Sequence, residues 1–480
     1  MQIFDCRKKI STHQYYILIT IAEIIFNIFA LVSLKMSNET IWFVYFFILT
    51  TIQLIFHIII IYKLYKEILN FSIIFLLCSY FFNYGHLFLK AFNIEFGPNV
   101  LFPLWYVDFS IYKQSAIFTF LVQSFVFVGI ILIYLFCKKR KKPLLRSNKF
   151  NFNNVDLNSI KIIGFVFFAI GIIPTLYVDI SKLLLFYQGG YLNALHMHIH
   201  DFVQVIANCI NFSVFALIIA YHNDKRKANI IFFLTVFYKV IMMSSGGRGQ
   251  TIVFLLCLFL VWGSIVQKIS FKNLILLIVI GYFALSLLNF IASVRNIATF
   301  NIDNIVSIFI KSITSNQITL ALSEFGSTFS TICFTIESKP NISFGLNYIL
   351  PILLVLPNIK GFNTPIVDLM IFTKHIYTYE QPIGGSYVAE LYYSFSWFGI
   401  IFAIFVGLFI GFITYKIYVS KRNNNYFSLL LYSCLTPSVL WWIRGYFGAI
   451  YREYIWHISL AIIILIIINK LRSKKVIKWK

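Results

Sequence analysis

Apolar residues run along this chain in blocks of about twenty, broken by short polar stretches, and that rhythm dictates what the sequence can build. A helix rises about 1.5 Å per residue, so about 20 mostly apolar residues cross a hydrocarbon layer. By that measure the pattern predicts helices over 13–34, 41–62, 70–90, 115–136, 160–180 and 203–222. Six more follow over 229–243, 250–266, 273–292, 390–415, 426–443 and 453–469. The turn Ser244-Ser245-Gly246-Gly247-Arg248-Gly249 separates two short members of the series. The predicted fold is all-α: one polytopic membrane domain over 1–480, with about twelve transmembrane helices. A long loop over 294–389 carries amphipathic stretches from Ile305 to Ile336 and Pro/Gly turns such as Lys339-Pro340-Asn341. It is expected to lie on, or partly re-enter, the outer membrane surface.

The polar gaps are unequal in charge. Lys63 and Lys66, the block Lys138-Lys139-Arg140-Lys141-Lys142, Lys225-Arg226-Lys227, Lys268 with Lys272, Lys416 with Lys421 and Arg422, and the basic tail 470–480 all fall in alternate gaps. The intervening gaps balance their few charges. Positive residues concentrate in cytoplasmic loops, so both termini are expected in the cytoplasm and the 294–389 loop outside. The net charge of +23 is thereby read as topology and contact with anionic headgroups. No nucleic-acid motif accompanies it, and no nucleic-acid partner is expected.

Composition then narrows the class. With 60% hydrophobic and 12% charged residues, a water-soluble enzyme is excluded, since soluble chains carry about 25% charged residues. The seven cysteines lie mostly in apolar runs, with no CxxC pair or Cys/His cluster to suggest a disulfide framework or zinc site. The basic start leads into a full-length span with no cleavage pattern, which predicts a first membrane helix.

Candidate chemistry collects at the outer boundary. Arg248, Arg295, Arg444 and Arg452 present permanently charged planar forks that suit phosphate, although each could simply anchor a helix end at the headgroups. Arg248 follows two glycines and opens a helix, whose free N–H groups favour an anion. Glu390 lies one turn inside a predicted span, where an acid is costly and so a functional candidate, an ion pair being the alternative. Tyr387 and Tyr393 flank it and could stack on sugars; Glu324 could bind substrate or orient the loop. Lys239 is expected to line a polar cavity. Glu23 and His57 stand alone in early spans, to be satisfied by neighbours. His196, His198 and His200 alternate, but without further ligands no metal site is expected, nor any cofactor. No Walker loop, GxSxG elbow or HExxH pattern is present.

These residues carry a family resemblance. Glu324-Phe325-Gly326-Ser327-Thr328, Thr335-Ile336-Glu337, Phe344-Gly345-Leu346-Asn347-Tyr348 and Leu356-Pro357-Asn358 resemble the long outer loop of O-antigen polysaccharide polymerases of the Wzy type. Gly384-Gly385-Ser386-Tyr387-Val388-Ala389-Glu390-Leu391-Tyr392-Tyr393, with Trp397-Phe398-Gly399, is similar to that family's most recognisable stretch. Ser394-Phe395-Ser396 stands where the family often has Asn-Phe-Gly. The resemblance is best over 240–455. It implies a multi-pass glycosyltransferase of the bacterial plasma (inner) membrane that joins oligosaccharide repeat units carried on undecaprenyl pyrophosphate into O-antigen or capsular polysaccharide. It further implies a chain-length regulator and a flippase as partners. Arg248, with Arg444 or Arg452, would stabilise the departing pyrophosphate, Arg295 would hold a second phosphate, and Glu390 would serve as general base on the acceptor hydroxyl. Two other readings stay open: a flippase for lipid-linked oligosaccharide, and an O-antigen ligase-like transferase.

Overall fold

The computed structural model describes residues 12–96, 100–139, 155–195, 197, 201–243, 248–267, 286, 290, 306–310, 317–356, 364–376 and 383–473. Among them the chain is helical, with no strand. Helix is the form that satisfies every backbone N–H and C=O within one segment, as a hydrocarbon solvent requires. The series begins with α1 (Thr12–Val32), α2 (Glu39–Tyr65), α3 (Phe71–Ala91) and α4 (Phe109–Lys139). Next come α5 (Leu157–Leu195), α6 (Asp201–Ala207), α7 (Cys209–Ala220), α8 (Lys225–Met242) and α9 (Arg248–Ile265). After the predicted loop begins, α10 (Gln317–Gly326) and α11 (Thr328–Ser338) precede α12 (Tyr387–Phe395), α13 (Gly399–Arg422), α14 (Tyr426–Trp441) and α15 (Ala449–Ser473). Among the described residues nine helical segments are long and apolar enough to cross a membrane, and α9 is a shorter apolar helix. The chain is thus a polytopic all-α membrane protein. The predicted span 273–292 lies outside the described residues.

Short polar side chains start these helices where the sequence offers them. Asn38, Asn70, Asp224 and Asn425 each accept a hydrogen bond from a first-turn backbone N–H of α2, α3, α8 and α14, relieving donors that the helix leaves unpaired. Lys66, at φ 58°, closes α2 in the left-handed conformation.

Three predicted spans are corrected. The helix expected over 160–180 continues to Leu195 through Pro174. The segment 203–222 is two helices, parted at Asn208. The span 390–415 begins earlier and is broken: Ser396, at φ 52°, ends α12 before α13 begins at Gly399. The departure at Ser394-Phe395-Ser396 is therefore the place where this helix is interrupted.

Without a hydrophobic drive between helices, small residues let backbones approach in lipid. Gly407 and Gly411 of α13 face Gly129 and Ile130 of α4 so closely that a Cβ on either would run into the α4 backbone. Gly85 of α3 and Gly326 of α10 meet in the same way, and His86 Nε2 bonds the Ser323 carbonyl at 2.8 Å across that crossing. Residues 328–336 of α11 are buried throughout. The part of the predicted outer loop from Gln317 to Ile336 therefore enters the bundle rather than covering it. Glu23 and His57 satisfy each other, with Nε2 of His57 2.8 Å from Oε1 of Glu23.

Candidate functional site

The site is built where the start of α12 meets the turn between α14 and α15. Gly384 and Gly385 approach that turn directly: a Cβ at 385 would strike the Gly445 carbonyl, and one at 384 would stand 3.5–3.8 Å from the Arg444 carbonyl oxygen, Cγ and Nε. Glycine is thus required at 385 by backbone contact, and half-buried Arg444 stands against the entry to α12. Thr331 of α11 adds a bond to the Gly384 carbonyl, 2.9 Å.

Glu390 lies one turn into α12 and is 0% exposed. Its Oε2 accepts from Trp442 Nε1 at 2.6 Å and from the Phe447 backbone N–H at 3.2 Å. Its Oε1 accepts from Asn347 Nδ2 at 3.3 Å. Asn347 is itself oriented: its Oδ1 accepts from Ser343 Oγ and Ser394 Oγ, both at 2.7 Å. All of the carboxylate's partners are donors, and they come from both flanks of the turn carrying Arg444. The carboxylate therefore ties residues 442–447 to α12 and to the outer segment at 347. Glu390 is thus fully enclosed by these donors.

The tie is reinforced around its edge. Tyr451 Oη donates to the Tyr348 carbonyl at 2.9 Å, Trp456 Nε1 donates to the Val355 carbonyl at 2.9 Å, and the Tyr446 and Thr373 hydroxyls are 2.5 Å apart. Gly448 presses on Pro351 and Met370. Residues 346–356 and 364–376 thereby pack over the turn, and half-buried Arg452 follows Tyr451 in the first turn of α15.

The remaining expected site residues are distributed as follows. Tyr387 is buried, with its hydroxyl 2.8 Å from Ser79 Oγ and its ring edge-on to Trp442 at 5.8 Å. Tyr393 is stacked on Phe372 at 5.0 Å. Both rings thus meet protein rather than an open surface. Glu324 lies on α10, beside the Gly85–Gly326 crossing. Arg248 opens α9, and the next residue, Gly249, packs on the Trp441 ring, where a Cβ would come within 2.9 Å. The start of α9 therefore stands beside the end of α14, one turn before Arg444. The side chain of Arg248, Arg295, the turn 244–247 and the three alternating histidines lie outside the described residues. No group of three or more His, Cys, Asp or Glu side chains that could hold a metal occurs among the described residues.

Three participants were not singled out from the sequence. Trp442 carried no motif, and Asn347 stood only within the stretch Phe344–Tyr348. Glu453, on α15 beside Arg452, accepts from Asn208 Nδ2 at 2.5 Å at the break between α6 and α7. The sequence placed Glu453 at the first residue of its predicted span, and only the observed start of α15 at Ala449 puts it one turn inside.

Residues 15–476 match the family model for O-antigen polysaccharide polymerase Wzy, nearly the whole chain. No curated protein and no solved structure gives a match.

Proposed function

Because this chain belongs to the O-antigen polysaccharide polymerase Wzy family, and is thus a multi-pass membrane enzyme of O-antigen polymerisation, we propose that its reaction runs on polyprenyl-diphosphate-linked repeat units at the outer leaflet. An acceptor sugar hydroxyl attacks the anomeric carbon of the growing chain. The bond from that carbon to the diphosphate oxygen breaks, its electron pair leaves with the diphosphate, and the hydroxyl proton passes to a diphosphate oxygen. Charge grows on the leaving group, so fixed cations aimed at it supply the largest catalytic contribution. Arg444 is our choice for that cation, with Arg452 in the first turn of α15 and Arg248 at the neighbouring helix start.

The observation carrying this reading is the clamp at Glu390. Three donors, the close approach of Gly385 and a buried carboxylate fix the turn that bears Arg444, and preorganisation is what makes a cation effective in a transition state. Glu390 in this scheme is a positioning residue.

The test is a glycan ladder. Arg444→Ala in a strain lacking the native copy is expected to lower polymer formation by about 10²–10³-fold, leaving surface glycan with a single repeat unit. Arg444→Lys keeps charge but loses the planar fork and should fall between. A normal ladder from a stably inserted Arg444→Ala protein would overturn the assignment. Accumulation of single units on the cytoplasmic leaflet would instead point to a flippase.

A further inference from the structure

Residues 342–356 are polar within and apolar without. A short helix, Leu346–Ile349, runs into a 3₁₀ helix, Leu350–Val355. Leu346, Ile349 and Ile352 recur at every third residue, so they share one side, and they are exposed, as are Ile342, Phe344 and Leu356. Phe344 is 78% exposed and Ile349 65%. The other side carries buried Asn347, Pro351 and Leu354. Asn347 turns its amide inward to Glu390 at 3.3 Å, and Pro351 meets Gly448 beyond the Arg444 turn. A segment lying in water would reverse this arrangement, because apolar surface gains by leaving water.

Contacts with two spanning helices fix the depth of the segment. Trp456 Nε1 donates to the Val355 carbonyl at 2.9 Å. Trp456 is the eighth residue of α15, about 11 Å from its start. With 25 residues, α15 is about 38 Å long, about 8 Å more than a hydrocarbon core of about 30 Å. Even with all of that excess at the Ala449 end, Trp456 lies inside the core. Toward α13, a Cβ on Gly345 would stand 3.0 Å from Phe395 Cζ, and Phe395 stacks at 3.9 Å on Phe402, in the first turn of α13. Both helices present apolar side chains outward, Ile401 and Phe405 on α13 and Ile463 and Ile467 on α15. The exposed side of 342–356 continues that surface between them.

We infer that residues 342–356 lie in the hydrocarbon of the leaflet that holds the Arg444 turn, with lipid chains as their partner, as the apolar side of an interfacial helix does. The back of the same segment bonds the Glu390 carboxylate, so the thickness of this one segment separates bilayer lipid from the tie that fixes Arg444. A lipid-linked diphosphate then reaches the turn sideways, without its lipid leaving the bilayer. That consequence rests on the polymerase reading above; the lipid contact does not.

The experiment places a nitroxide on Ile349→Cys in the full chain in lipid nanodiscs, with the signal from the native cysteines subtracted and thermal unfolding as the folding control. Collisions with dissolved oxygen, which partitions into hydrocarbon, are expected to exceed those with a water-soluble nickel chelate, as they should for a label on Ile401→Cys. A label on Lys374→Cys should show the reverse, because Lys374 is exposed and paired with Asp368 at 2.7 Å. Ile352→Cys repeats the test should Ile349→Cys not fold. Nickel collisions at 349 matching those at 374 would overturn the inference by placing the face in water. Few collisions with either reagent would overturn it as well, since another part of the chain or a second copy would then cover the face. The ladder of Arg444→Ala is read separately. If that variant is active while 349 lies in lipid, the catalytic reading fails and the lipid contact stands.

Discussion

A glutamine at position 390 can take over most of what the carboxylate does. Its carbonyl oxygen can accept from Trp442 Nε1 and the Phe447 N–H, and its amide can face Asn347 if that side chain flips, since the Ser343 and Ser394 hydroxyls can donate or accept. Glu390→Gln is therefore expected to keep polymer formation within a few-fold of native and to leave its pH profile unmoved. A general base would lose about 10²–10⁴-fold in the same variant, so an inactive but thermally native Glu390→Gln protein would sink the positioning role. Trp442→Phe makes the opposite test. It removes the shortest of the donors and leaves a buried carboxylate oxygen short of a partner, costing about 1–3 kcal/mol. The expected result is a lowered unfolding temperature together with a shortened ladder. The sequence marked Glu390 by chemistry alone, an acid one turn into a span. It could not show what the acid touches, because Trp442 and Asn347 are 52 and 43 residues away along the chain.

Among the elements, the α4–α13 crossing has the least tolerance. Gly407 opposes the Val126 carbonyl and Gly129 Cα, so any side chain there forces the two helices apart. Overpacking a core costs about 1–3 kcal/mol where neighbours can shift, and a helix backbone shifts poorly. Gly407→Leu is expected to reduce folded protein recovered from membranes and to unfold at lower temperature, whereas Ile401→Leu on the exposed face of the same helix should not. Native thermal stability in Gly407→Leu would refute the close crossing. The spans themselves were legible from run length, since a long apolar run has few alternatives to a helix in lipid. Their interruptions at Asn208 and Ser396 were not, because each break depends on what the freed backbone and side chains meet. Gly326 illustrates the limit: it stood out within a family motif, yet its function is to admit Gly85 of a distant helix.

Across the whole molecule, described helix ends near the basic gaps meet in pairs. Lys421 bonds Glu67 at 2.5 Å, Tyr426 meets His222 at 3.3 Å, and Arg472 makes paired contacts of 2.9 and 3.0 Å to Asp156. Contacts elsewhere join 101 to 330, 348 to 451 and 384 to 444. Asp156 gives this arrangement a pH signature. Burial alone would raise its pKa, but the Arg472 guanidinium and the Ser159 donors outweigh that and hold it below the usual aspartate value. A depressed folded value means the ion pair contributes fully above the ordinary aspartate range and is lost as pH falls through the lowered value. Asp156→Asn keeps a helix-capping side chain and removes only the charge. Its stability deficit, at most about 1 kcal/mol for a partly exposed pair, should be full at about pH 7 and shrink as pH falls below the ordinary aspartate value of about 3.9. A deficit constant across that range would refute the pair.

Run length and composition, read from the sequence alone, settled that this is a polytopic helical membrane protein. Its motifs carried the family. Those properties are local: transfer into lipid and headgroup attraction act on each segment by itself. Which residues converge on the Arg444 turn, and why a glycine stands at 385 before α12, were decided only by tertiary packing. Hydrogen bonds and backbone contacts reach about 3 Å, and only the folded chain brings residues hundreds of positions apart to within that distance.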